Sequence, residues 1–217
     1  MPITHLLFDL DGTLLETEPG ILGTFRHTLR TLGLPDRSDA ELRRYIGPPL
    51  RQAWGELVGE GLIDEAVEIY RQRYDAAGKL EANHYPGMPE ALEELAQRYR
   101  LVVATSKRVQ FARDMTAHFG LAQHFTAVYG VVPPHLSEPK GELIARILAD
   151  LDLNAEAAVM IGDREFDIAG ANANGMRSVG VLWGYGSAAE LSQHGATALC
   201  GRPAELEGLL EGRGGGG

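Results

Sequence analysis

A single cysteine, Cys200, stands among 217 residues. One thiol cannot close an intramolecular disulfide or build a cysteine-based zinc site, and it suits a reducing compartment. Long apolar runs are absent too. None approaches the 18 residues that a membrane-spanning helix needs, and no basic segment followed by an apolar stretch opens the chain. The expectation is a cytoplasmic protein without a membrane partner. Positive charge is in deficit, with 20 lysines and arginines against 30 aspartates and glutamates, a net charge of -10 and a pI near 5.2. That balance argues against a nucleic-acid polymer as partner. It leaves a small phosphorylated substrate open, because a bound divalent cation reverses the local field. Internal repeats and interior low-complexity segments are also missing. Only the glycines at 214–217 lack any means to pack, and residues 212–217 are expected to form a disordered tail.

What is present begins with an apolar run at residues 3–8 that leads into Asp9-Leu10-Asp11-Gly12-Thr13-Leu14. The run is short and bounded by turn residues, so it reads as a buried strand. Taken alone, the two aspartates serve equally well as turn or cap residues. Residues 16–20 read as a hinge. Residues 21–77 carry four helical patterns, over 21–32, 38–45, 50–58 and 63–77, with no convincing strand. From residue 85 strands and helices alternate. Strands are predicted at 101–104, 127–130, 157–161 and 177–182, and helices at 89–99, 109–119, 140–150 and 166–174. Such alternation predicts an α/β fold, a Rossmann-like doubly wound parallel sheet with helices on both faces. The acidic strand is its first strand. Residues 1–15 and 84–217 then make the sheet-containing core, and residues 16–83 an inserted α-helical block.

In a parallel sheet all strand carboxyl ends lie on one edge, where open α/β sheets bind ligands. Asp9 and Asp11, Thr105-Ser106-Lys107, Lys140, and Asp163 with Asp167 all stand just beyond predicted strands or at a following helix start. Asp9, Asp11 and Asp163 with a lysine and a hydroxyl on one rim suit phosphoryl transfer. Hard oxygen ligands suit Mg²⁺, for which Asp9 and Asp163 are the carboxylates. An aspartate can act as nucleophile and form an aspartyl-phosphate. Lys140 can offset charge on that carboxylate, and Thr105 can donate a hydrogen bond to a phosphate oxygen. Asp11 can protonate the leaving oxygen and later take a proton from water. Against these stand simpler readings: Thr105 as a helix cap and Asp167 as a helix-dipole residue. Lys107 reads equally as a solvated helix residue and as one that faces the inserted helices.

The first of these segments resembles the signature of the haloacid dehalogenase superfamily. Thr105-Ser106-Lys107, Lys140 and Gly162-Asp163-Arg164-Glu165-Phe166-Asp167 look like its second, third and fourth motifs, in order. The resemblance implies a helical cap after the first strand, Asp9 as nucleophile and Asp11 as general acid/base. It implies Mg²⁺ held by Asp9, the Asp11 backbone carbonyl and Asp163, with Asp167 in the outer shell or holding Lys140. Ser106 would join Thr105 in binding phosphate. An aspartate at position 11 favours phosphatases over dehalogenases. Within the superfamily the chain is similar to the phosphoglycolate phosphatase group through Tyr45-Ile46-Gly47-Pro48-Pro49-Leu50, Tyr85-Pro86-Gly87-Met88 and Val181-Leu182-Trp183-Gly184-Tyr185-Gly186. The Gly-Pro-Pro-Leu and Trp-Gly-Tyr-Gly forms are similar to 5'-nucleotidase-like members as well. Glu16-Thr17 departs from the Asp-Ser that many relatives carry. Residues 131–139 replace the Asp-Gly-rich loop before the motif lysine, although no other lysine lies between 108 and 217.

The expected function is a Mg²⁺-dependent phosphatase of a small phosphomonoester. Phosphoglycolate comes first and a 5'-nucleotidase-type substrate is the alternative. A phosphomutase is less favoured because it must shield its phosphoryl group from water. A phospho-acceptor signalling domain is disfavoured because it needs no inserted lid. Trp54, Trp183, His118 and His124 read as packing residues. Arg43, Arg44 and Arg51 each read first as part of a solvated helix face, with one of them as the alternative contact for a substrate carboxylate or second phosphate.

Overall fold

The structure, a computed structural model, describes residues 1–135 and 137–211; the expected tail at 212–217 lies outside the described residues. Two compact units make up the chain, Met1–Leu15 with the residues from His84 onward, and Glu16–Asn83. The first unit opens with β1 (His5–Phe8). The chain leaves it through β2 (Leu15–Glu16) and returns through β3 (Asn83–His84), and these two short strands pair with each other.

The second unit is helical, with α1 (Glu18–Thr31), α2 (Asp39–Arg43), α3 (Leu50–Val58) and α4 (Ile63–Ala76). Helix α1 starts earlier than the sequence pattern suggests. Glu18, Pro19 and Gly20, read as hinge, form its first turn, where a proline loses no hydrogen bond. Helix α2 starts at a reciprocal cap between Ser38 and Glu41. The unit has an aromatic centre, with Phe25 4.9 Å from Trp54 and 5.0 Å from Tyr70 between ring centroids.

The remainder of the first unit runs α5 (Met88–Ala96), β4 (Arg100–Arg108), α6 (Val109–His118), β5 (Phe125–Val131), α7 (Lys140–Asp150), β6 (Ala158–Gly162) and α8 (Glu165–Ala173). It ends with β7 (Arg177–Val181), α9 (Ala188–Gln193), β8 (Ala198–Cys200) and α10 (Leu206–Leu210). Six strands form one sheet in the order β5-β4-β1-β6-β7-β8, and every pairing is parallel. This is the doubly wound order, with its switch point between β1 and β6, where a crevice opens beyond the strands. Leu6, Leu7 and Phe8 of β1 are fully buried, as a central parallel strand covered on both faces requires. On one face Leu7, Val102 and Met160 pack against Leu143, Ile144 and Ile147 of α7 and Ala171 of α8. Cutting such a side chain back to alanine typically costs about 2–5 kcal/mol.

Strand β4 runs to Arg108, four residues beyond the predicted end. Its register against β5 shifts between Ala104 and Arg108, and Arg108 pairs with Val131. The polar residues Thr105 to Lys107 therefore lie in an irregular stretch of strand rather than in a loop. Among the described residues, no helix is long and apolar enough to cross a membrane.

Candidate active site

Asp9 follows β1 directly, and its backbone N–H donates to the Ile161 carbonyl of β6 at 2.9 Å. The carboxylate thus stands at the switch point with its backbone still tied to the sheet. Lys140, the first residue of α7, extends a side chain that is 4% exposed to the same place. Its ammonium lies 2.9 Å from Asp9 Oδ1, 2.8 Å from Asp167 Oδ1 and 2.9 Å from the Ala104 carbonyl of β4. The ammonium donates hydrogen bonds to Asp9 Oδ1 and the Ala104 carbonyl and forms an ion pair with Asp167.

Asp163 is fully buried just beyond β6. Thr13 Oγ1 donates to its Oδ1 at 3.1 Å and the Tyr185 N–H donates to its Oδ2 at 2.8 Å. Trp183 Nε1 in turn donates to the Thr13 carbonyl at 3.0 Å, so this residue is more than packing. Glycine is required around this carboxylate. A Cβ on Gly12, whose φ is +79°, would overlap Asp163 Oδ2, and one on Gly184 would overlap Asp163 Cβ and the Gly12 carbonyl. The Trp183–Gly186 segment is thus the wall that holds Asp163. Asp167, in the first turn of α8, is also buried; its Oδ2 accepts the Arg164 N–H at 3.1 Å while Oδ1 faces Lys140.

Carboxylate oxygens of Asp9, Asp163 and Asp167 lie within 4.8 Å of one another. Burial raises the Asp9 pKa to about 6; Lys140 pulls it down, while Asp167 and Asp11 push it up. Burial likewise raises Asp163 well above the usual carboxylate range, with Asp167 and Asp9 adding to the shift and the two hydrogen bonds opposing it. Burial alone would lower Lys140, but Asp167 and Asp9 more than offset it and hold the lysine above its ordinary value. Two buried acids and the part-buried Asp9 therefore stand around one buried cation, and among the described residues no cation pairs with Asp163. An uncompensated buried charge is costly. The donor set, all oxygen and short of positive charge, fits a divalent hard cation such as Mg²⁺.

Asp11 differs from Asp9. Its Oδ2 lies 3.0 Å from Lys107 Nζ, and its Oδ1 is buried without a hydrogen-bond partner. Thr105 is buried, and its hydroxyl accepts the Lys107 N–H at 3.2 Å. Ser106 is exposed. Thr13, Trp183 and Tyr185 complete the cluster and were not expected in the site from sequence, although Trp183 and Tyr185 lie in the segment 181–186 that carried the resemblance. Lys107, of the motif Thr105-Ser106-Lys107, stands in β4 beside Asp11 and not on a solvated helix. Arg43 pairs with Glu18 and Arg51 with Asp64, while Arg44 lies over the Tyr45 ring.

Comparisons with known proteins show the family of the chain. The family of haloacid dehalogenase-like hydrolases matches residues 6–181. A Pseudomonas aeruginosa protein named 5'-nucleotidase is 41% identical over 210 residues, covering 95% of both chains. A phosphoglycolate phosphatase from Aquifex aeolicus is 26% identical over 207 residues, covering 95% of this chain and 96% of its own. A solved haloacid dehalogenase-like hydrolase from Streptococcus pneumoniae superposes with a TM-score of 0.91 at 34% identity, covering 95% of this chain and 98% of the other. The chain belongs to the haloacid dehalogenase-like hydrolases, and within that family it is a hydrolase of phosphoric monoesters.

Proposed function

We propose that this protein is a Mg²⁺-dependent phosphatase of small phosphomonoesters, with nucleoside 5'-monophosphates as the substrate class. The observation that carries the chemistry is the buried group of Asp9, Asp163 and Asp167 around Lys140 at the switch point. Support for the substrate class is the 41% relative named 5'-nucleotidase, over nearly the full length of both chains. Phosphoglycolate, favoured by sequence motifs, is the second reading and rests on the 26% relative.

In this reading the Asp9 carboxylate attacks phosphorus, and the ester P–O bond breaks as Asp11 protonates the leaving oxygen. Water then hydrolyses the aspartyl-phosphate, giving its proton to Asp11 and releasing phosphate. Thr105 and Ser106 bind phosphate oxygens, and Lys140 balances charge on Asp9. The Asp9 and Asp163 carboxylates with the Asp11 carbonyl would hold the metal, and Asp167 would fix Lys140. Bound there, Mg²⁺ would neutralise charge on the phosphate. The helical unit at 16–83, inserted directly behind Asp11, is read as the cap that sets substrate choice.

The test is turnover of a phosphomonoester panel with Mg²⁺, including nucleoside 5'-monophosphates and phosphoglycolate, for the wild type and Asp9→Asn. The expected result is highest kcat/KM for a nucleotide and loss of at least about 10³-fold for the variant. An Asp9→Asn protein that keeps its turnover would overturn the mechanism. Preference for phosphoglycolate would overturn the substrate class alone.

A further inference from the structure

Lys107 has no part in the chemistry described so far, yet it is built into the site with care. The backbone of β4 leaves its register between Ala104 and Arg108, and Lys107 falls within that irregular stretch. Two features pin it there. Its N–H donates to Thr105 Oγ1 at 3.2 Å, and its carbonyl lies so close to Gly130 of β5 that a Cβ on Gly130 would overlap it. The long side chain, only 10% exposed, then brings Nζ to 3.0 Å from Asp11 Oδ2. An ordinary surface lysine gains little by such ordering, because an exposed ion pair offsets its own side-chain entropy. Here the two side chains are mostly shielded, which strengthens the pairing.

The consequence lies in the other oxygen. Asp11 Oδ1 is out of contact with solvent and has no hydrogen-bond partner among the described residues. A carboxylate free to rotate about its last bond would present either oxygen to a reacting group. With Oδ2 held by Lys107, Oδ1 is the carboxylate oxygen whose hydrogen-bonding capacity no described residue uses.

We propose that Lys107 is a positioning residue for the acid/base Asp11, anchoring Oδ2 so that Oδ1 faces the leaving oxygen. The proposal rests on the phosphatase reading above. It makes Lys107 act through Asp11 and not as a phosphate ligand, so its loss belongs to proton donation and not to substrate binding.

Leaving groups separate these roles. An alkyl phosphate such as a nucleoside 5'-monophosphate needs its leaving oxygen protonated, whereas p-nitrophenolate leaves with little help. With Mg²⁺ present, Lys107→Met is expected to lower kcat for the alkyl substrate about 10–100-fold, part of the 10²–10⁴ that general acid catalysis supplies. KM should stay within about threefold, kcat for p-nitrophenyl phosphate should fall less than about threefold, and Lys107→Arg should restore most of the loss. Asp11→Asn should show the same leaving-group bias, and adding Lys107→Met to it should cost nothing further, as coupled residues require. Equal losses on both substrates, a raised KM with unchanged kcat, no loss at all, or additive effects with Asp11→Asn would each overturn the proposal. Asp9→Asn, assayed in parallel, keeps the two readings apart. If it retains turnover, the phosphatase reading itself fails; if it is inactive while Lys107→Met shows no bias, only the role of Lys107 fails.

Discussion

Asp9 and Asp11 are two positions apart and of identical chemistry, and their partners alone separate them. Asp9 shares Lys140 with Asp167 and is raised to about 6 chiefly by burial. Asp11 pairs with Lys107. In the proposed mechanism Asp9 is the nucleophile and must be ionised, so kcat/KM should fall as the pH drops through the Asp9 value and the neutral form accumulates. A bound Mg²⁺ adds positive charge beside the same group and favours its ionised form. The acid limb of the pH profile is therefore expected near pH 6 at limiting Mg²⁺ and lower at saturating Mg²⁺. A limb that stays in place across a Mg²⁺ titration would separate Asp9 from the metal. At this scale the sequence was informative wherever a motif sits at a strand end. Asp9, Asp11, Thr105, Lys140, Asp163 and Asp167 all stand at the sheet's carboxyl edge because parallel topology brings every strand end there. The ammonium contacts of Lys107 and the tie from Trp183 to Thr13 were not legible, since side-chain reach across strands leaves no mark in spacing.

The elements divide along the same line. Buried parallel strands announce themselves as short apolar runs, so β1, β4, β6 and β7 were visible, and Lys140–Asp150 and Leu50–Val58 emerged at their full helical lengths. Strand β4 outran its apolar run because pairing resumes at Arg108 after a shift in register, which composition does not record. The two-residue strands β2 and β3 are too short to carry a pattern. Least legible was the segment Trp183–Gly186, whose glycines look like turn residues. Their purpose is long-range, for a side chain on Gly184 would collide with Asp163 and the Gly12 carbonyl. Gly184→Ala therefore tests the wall as an element. Overpacking of this kind costs typically about 1–3 kcal/mol. Displacing Asp163 is expected to weaken Mg²⁺ binding at least about tenfold, measured by calorimetric titration or by fluorescence of the neighbouring Trp183. Unchanged affinity in a folded Gly184→Ala protein would show that the segment does not hold the carboxylate.

For the whole molecule, the doubly wound sheet concentrates negative charge in one buried place, and that concentration bears on stability. Asp9 and Asp163 both bind protons more tightly in the folded chain than in the unfolded one. Between the ordinary carboxylate range and the raised values, the folded state holds more protons, so folding stability falls as pH rises through that window. For Asp9 alone, moving from 3.8 to about 6 corresponds to roughly 3 kcal/mol lost by neutral pH in the metal-free protein. Asp163→Asn removes one of these charges and keeps the shape. Its side-chain oxygen can still accept from the Tyr185 N–H, and its amide can donate to Thr13, whose hydroxyl is free to turn. The metal-free variant is accordingly expected to melt above wild type at pH 7.5 and to lose that advantage at about pH 3, below the ordinary carboxylate value of 3.8, where Asp163 is mostly protonated in either state. Adding Mg²⁺ at pH 7.5 should reverse the order. Wild type gains stability by RT ln(1 + [Mg²⁺]/Kd), and the variant, lacking a ligand, gains less. Thermal melts of both proteins at the two pH values, with and without Mg²⁺, read the four corners of this cycle. An Asp163→Asn protein less stable than wild type without metal at pH 7.5 would mean that the buried acids are already balanced. The sheet edge would then owe nothing to a cation, and the charge argument for the metal would fall with it.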